Sequence, residues 1–229
     1  PVGYASGGGV ERVFTDKSRY NPSDTVTITA TITNDTGSAW NGDVDLEIYH
    51  LETMVYADSQ PKSINNGATT DVVFNWTAPS KDFRGYFVKI DAGALGVGYS
   101  AVDVSSDFTK YPRYGYISEF YADETSSESQ AKVNELAEDY HINAWQFYDW
   151  MYRHDKFFKR TASTIDATWI DLFNREISWQ TIQNQIDAVH AQNGKAMAYA
   201  MIYATREGYS SYGISPTWGI YEDTSHANQ

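Results

Sequence analysis

The chain has 229 residues, of which 41% are hydrophobic and 21% charged, an ordinary folded composition with length for one or two domains. Its formal net charge of −13 disfavours nucleic-acid phosphates and anionic membranes as partners and leaves a neutral ligand compatible. The absence of cysteine excludes disulfides, thiolate metal sites and cysteine nucleophiles, and no run approaches the roughly 18 apolar residues of a membrane span.

Residues 3–9, a glycine-rich stretch, read as a flexible leader ahead of a short strand at 10–14. Residues 25–33 alternate strictly, with Val26, Ile28, Ala30 and Ile32 on one side and threonines on the other, the pattern of a half-buried strand. Asn21-Pro22-Ser23-Asp24 turns into it and Asn34-Asp35-Thr36-Gly37 turns out. Further strands are expected at 45–50, 54–58, 63–64, 70–76, 85–91 and 101–104. About seven short strands punctuated by turn residues indicate an antiparallel β-sandwich of immunoglobulin-like type over residues 1–108. Its carboxylates are scattered singly, so a structural or substrate-positioning role is expected of it.

The periodicity changes after Pro112. A short strand at 114–118 precedes Thr125-Ser126-Ser127-Glu128, a capping box, and Val133, Leu136, Ala137 and Tyr140 follow the spacing of one helical face. Residues 143–147 form the next strand, and strand, helix, strand without a hairpin implies parallel pairing. A long loop is expected over 148–178. A second helix carries Ile182, Ile186 and Val189, stops at Asn193-Gly194, and leads to a third strand at 195–202 that is expected to be buried on both faces. Such units open either a doubly wound sheet or a (β/α)8 barrel. The first βα turn has no glycine fingerprint, which weakens a dinucleotide fold. A full barrel needs about 250 residues, more than lie beyond residue 108. The fold expected is therefore a multidomain β plus α/β chain, with 109–229 the first part of an incomplete (β/α)8 barrel.

Either topology gathers chemistry at the C-terminal ends of the strands. Glu119 follows the first strand, Tyr148-Asp149-Trp150 the second with His154 beyond, and Tyr203 the third. Asp149 and His154 among aromatic rings suit sugar hydroxyls, with Trp150 as a stacking surface. The plain alternatives are that Trp150 and Tyr152 only cover the sheet's end and that His154 pairs with Asp155. A carboxylate directly after an apolar parallel strand has little structural reason to be there, which favours Asp149. His141 lies at the opposite end of the sheet, and His190 near a helix end is a dipole partner. No HExxH spacing occurs, so a metal centre is not expected, and a G-x-S-x-G nucleophile elbow is absent too; no cofactor is expected.

Three blocks carry a resemblance: residues 108–120, residues 140–156 (including Tyr140-His141-Ile142-Asn143-Ala144-Trp145-Gln146-Phe147-Tyr148-Asp149-Trp150-Met151) and residues 194–199, joined by Thr15-Asp16-Lys17 and Tyr20-Asn21-Pro22. Together they resemble glycoside hydrolase family 66, which groups dextranases with cycloisomaltooligosaccharide glucanotransferases. Tyr199-Ala200-Met201-Ile202-Tyr203 and residues 213–218 favour the glucanotransferase branch. The resemblance implies an immunoglobulin-like domain ahead of a (β/α)8 catalytic barrel, a retaining mechanism on α-1,6-glucan and a secreted, extracellular enzyme. It places the nucleophile Asp and the acid/base Glu beyond Gln229, so this segment alone is expected to be inactive and to need the remainder of its barrel. Tyr148, Asp149, Trp150 and His154 fit the family's second-strand motif and are expected to bind glucose units, with Glu119 and Tyr203 on the same rim. An endo-dextranase and a non-catalytic carbohydrate-binding protein are the alternatives.

Overall fold

The computed structural model describes residues 8–201 and 208–219. Among them, alternating β-branched residues build strands β1 (Gly9–Thr15), β2 (Thr25–Asn34), β3 (Trp40–His50), β4 (Thr53–Ile64), β5 (Ala68–Thr77), β6 (Arg84–Asp91) and β7 (Val97–Val104). They form two antiparallel sheets, in the orders β1-β2-β5 and β4-β3-β6-β7. Val26, Ile28, Ala30 and Ile32 face inward from β2 as their period dictates. They meet Val44, Leu46 and Ile48 of β3, Val72 and Phe74 of β5 and Val88 and Ile90 of β6 in one core.

Strand β4 departs from expectation. Residues 54–58 and 63–64 belong to one continuous strand that contains Pro61, paired with Asp43. The proline is tolerated because β4 is an edge strand, where a missing backbone donor leaves no ladder bond unmade. Most of its residues are exposed, so no alternation marks it in the sequence.

The second half is parallel. Strand β8 (Tyr114–Ile117) leads to helix α1 (Ser126–Glu138) and strand β9 (Ala144–Phe147). The capping box forms as the sequence indicates: the Thr125 hydroxyl accepts from Glu128 N–H, and the Glu128 carboxylate accepts from Thr125 N–H. Residues 148–178 are not a structureless loop. They carry two small hairpins, β10 (Arg160–Thr161) with β11 (Thr164–Ile165), and β12 (Thr168–Ile170) with β13 (Glu176–Ser178). Helix α2 (Trp179–Ala191) follows, then strand β14 (Lys195–Ala198). Asn193 adopts the left-handed turn at φ 59°. Gly194 serves packing instead, since a Cβ there would lie 2.0 Å from the Trp145 ring. Strand β14 is shorter than expected, and its residues are exposed or half-buried rather than buried.

The strand order is β8-β9-β14, sequential and all parallel. Ile117, Trp145 and Phe147 point to one face and join Val133 and Ala137 of α1 and Ile182, Ala188 and Val189 of α2 in a second core. Both helices therefore cover the same face. The other face presents Tyr114 and Tyr116, both exposed, with Gln146 and Met197 between them and the far edge.

Arginines tie the two halves together at the end of the sheet where β9 begins. Arg113 donates from Nη2 to Ser18 O at 3.1 Å and Asp103 Oδ2 at 2.9 Å, and from Nε to His141 O at 2.5 Å. Arg19 donates to Ser105 O and to both Asn193 O and Asn193 Oδ1. Arg12 pairs with Glu138 at 3.0 Å and Asp139 at 2.6 Å. His141 is thus a junction residue, away from the rim where the strands end.

Candidate functional site

The parallel ladder continues one residue past the strands. Tyr148 N–H donates to Ile117 O at 2.7 Å and Tyr199 N–H to Phe147 O at 3.1 Å. This sets the Tyr148 ring between Tyr116 and Tyr199, with centroids 6.0 and 4.5 Å away. Asp149 then turns the chain at φ 54°, a left-handed conformation that a short polar residue tolerates better than most. The turn brings its carboxylate to a cleft of about 580 Å³ lined by Tyr148, Asp149, His154, Leu172, Phe173, Met201 and Gly208. That volume lies within the range of small-ligand sites.

Burial, the dominant influence, holds the Asp149 carboxyl above the usual carboxylate range. The charge of Arg175 opposes it, Asp171 adds to it and His154 opposes it. His154 is half-buried, and its Nδ1 is buried with no hydrogen-bond partner. Its neighbour Asp155 pairs with Arg153 instead, at 3.0 and 2.5 Å.

Of the six residues expected on this rim, three line the cleft: Tyr148, Asp149 and His154. Trp150 does not. It is 6% exposed, its Nε1 donates to Tyr199 O at 2.9 Å, and its ring packs on Phe157 and Phe158. After the turn at Asp149 the Trp150 side chain lies in the core, so it supports the cleft from beneath and offers no stacking face. Glu119 is also elsewhere: it is exposed and lies 3.7 Å from Lys132 of α1, outside the cleft lining. Tyr203 lies outside the described residues.

The β12–β13 turn supplies a wall that sequence reasoning missed. Asp171, its side chain wholly buried, accepts from Phe173 N–H and Arg175 N–H at 2.8 Å each and from Arg175 Nε at 2.7 Å. This fixes Leu172 and Phe173 against the cleft. The signal was Asp and Asn bracketing a short turn, with Asn174 left-handed at φ 62°. The described residues contain no cluster of three or more His, Cys, Asp or Glu suited to a metal ion.

Aromatic faces beside a carboxylate and an imidazole, at the C-terminal rim of a parallel sheet, have the chemistry of a site for a neutral, hydroxyl-rich ligand. The chain belongs to glycosyl hydrolase family 66, whose profile matches residues 15–229. It is 70% identical to a cycloisomaltooligosaccharide glucanotransferase of Niallia circulans, over 100% of this chain and 24% of that protein. A second protein of that name and organism is 64% identical over 97% of this chain and 23% of its own length. A dextranase of Streptococcus salivarius is more distant, 25% identical over 70% of this chain and 21% of the dextranase. Among solved structures, a Paenibacillus sp. cycloisomaltooligosaccharide glucanotransferase complexed with cycloisomaltoheptaose superposes with a TM-score of 0.88 at 65% identity, covering 97% of this chain and 32% of that one. The chain spans about a quarter of the length of the curated relatives it matches.

Proposed function

We propose that this chain is the front segment of a retaining, secreted enzyme that converts dextran, an α-1,6-glucan, into cyclic isomaltooligosaccharides by intramolecular transglycosylation. The observation that carries this reading is the cleft of Tyr148, Asp149 and His154 in a chain 70% identical to a glucanotransferase of that name. Residues 109–229 are read as the opening arc of a (β/α)8 barrel. The strand order is sequential and both helices share one face, as in the opening units of a barrel; the first half of a doubly wound sheet has the same arrangement, and the reading as a barrel rests on the family match. The face with Tyr114 and Tyr116 would then line the barrel's interior, which later strands would enclose. Residues 1–108 are read as immunoglobulin-like, since strands one, two and five face three, six and seven as in that Greek key, with the fourth strand joined to the second sheet beside the third.

In this mechanism one carboxylate attacks the sugar and a second, about 5 Å away, serves as acid and then base. Among the described residues, Asp149 is the carboxylate that lines this cleft, and Asp171 is wholly buried and held by the turn. We read this segment as binding and orienting glucan, with the bond-breaking pair placed beyond Gln229 by the resemblance to the family. Tyr148 would stack on a glucosyl face, with Asp149 accepting and His154 exchanging hydrogen bonds with its hydroxyls. Ring closure requires the chain's own 6-hydroxyl to reach the glucosyl-enzyme ester before water does, an outcome favoured by a rim lined with rings.

Incubating the full-length protein with dextran tests the reading. Products lighter than linear isomaltooligosaccharides by one water are expected. Linear products alone would assign an endo-dextranase, and no release of either would overturn the proposal.

A further inference from the structure

Within this chain Phe173 is 62% exposed, a large apolar ring at the tip of a short turn. Yet the turn is not loose. The buried Asp171 carboxylate accepts three hydrogen bonds from within it, and Asp171 N–H donates to Arg175 O at 2.9 Å. The Arg175 guanidinium lies 5.5 Å from the Phe173 ring centroid, and the ring itself lines the cleft that holds Asp149. An aromatic side chain has two torsions, so a rigid turn leaves little disorder to lose when a ligand settles on the ring.

We propose that the 171–175 turn is a substrate-recognition element in which Phe173 supplies, with Tyr148, a second apolar face for one glucosyl unit. A pyranose ring presents C–H-rich faces and a hydroxyl rim. Rings from two different segments, the residue after β9 and the β12–β13 turn, can meet those faces while Asp149 and His154 meet the rim. The assignment rests on the reading of this cleft as a glucan site. It makes Phe173 a contact for binding and specificity, with no part in bond breaking.

The test uses the full-length protein, with KM and kcat on dextran and Kd for cycloisomaltoheptaose. Phe173→Ala is expected to raise KM and Kd about tenfold, with kcat and Tm unchanged, and Phe173→Trp to restore affinity. A Phe173→Ala variant that binds as wild type does overturns the assignment while leaving the cleft a glucan site. A fall in Tm with unchanged KM assigns the ring to packing and overturns it equally. If the wild-type protein itself binds neither ligand, the reading of the cleft fails and this assignment fails with it.

Discussion

Asp149 occupies a left-handed turn and carries a carboxyl that burial holds above its ordinary range. These two properties give its variants opposite signs in stability and binding. An acid with a raised folded-state pKa stabilises the fold below its unfolded value, and that contribution disappears as pH rises through the folded value. At neutral pH the charge of Asp149 therefore works against folding. Asp149→Asn, which also tolerates the turn, is expected to keep or slightly raise Tm while lowering kcat/KM about 10–100-fold, the range for hydrogen bonds to a charged group. With Asp149 intact, Kd for cycloisomaltoheptaose should rise on the acid side from a pH above the ordinary aspartate range; with Asn that rise should be absent. A pH profile of both proteins checks it. Trp150→Ala should instead cost about 3–5 kcal/mol of stability, measured by denaturant unfolding, because its ring lies in the core. The contrast shows what the sequence could reveal about the site. A carboxylate after an apolar parallel strand stands out by position. The direction of the next side chain depends on one dihedral angle, and no spacing rule encodes it.

Among the secondary structures, alternation between core and solvent makes an element legible in the sequence. The pattern over 25–33 matches β2, and the capping box at Thr125 and Glu128 matches the start of α1. Thr125→Ala should cost about 1 kcal/mol in chemical denaturation, since it leaves a helix N–H without its acceptor. Strand β4 escaped because its exposed residues follow no period and Pro61 suggests a break. The hairpins between β9 and α2 escaped because strands of two or three residues are too short to show one. The β12–β13 turn, which forms a wall of the cleft, went unseen for the same reason.

The molecule as a whole depends on how its two halves meet. Arg113 links Ser18 and Asp103 of the sandwich to His141 behind β9, at the opposite end of the sheet from the cleft. Removing it leaves Asp103 without that cation and two carbonyls without their donor. Arg113→Ala in the full-length protein is expected to lower stability by about 2 kcal/mol and to separate the sandwich's unfolding from the rest in calorimetry, with ligand affinity unchanged. The central claim is that Tyr148, Asp149 and His154 hold glucan in this cleft. It is tested most directly by a crystal structure of the full-length protein with a bound isomaltooligosaccharide. A glucosyl hydroxyl within about 3 Å of the Asp149 carboxylate, with its ring against Tyr148, is expected; a glucan chain crossing the molecule without touching these residues would contradict it.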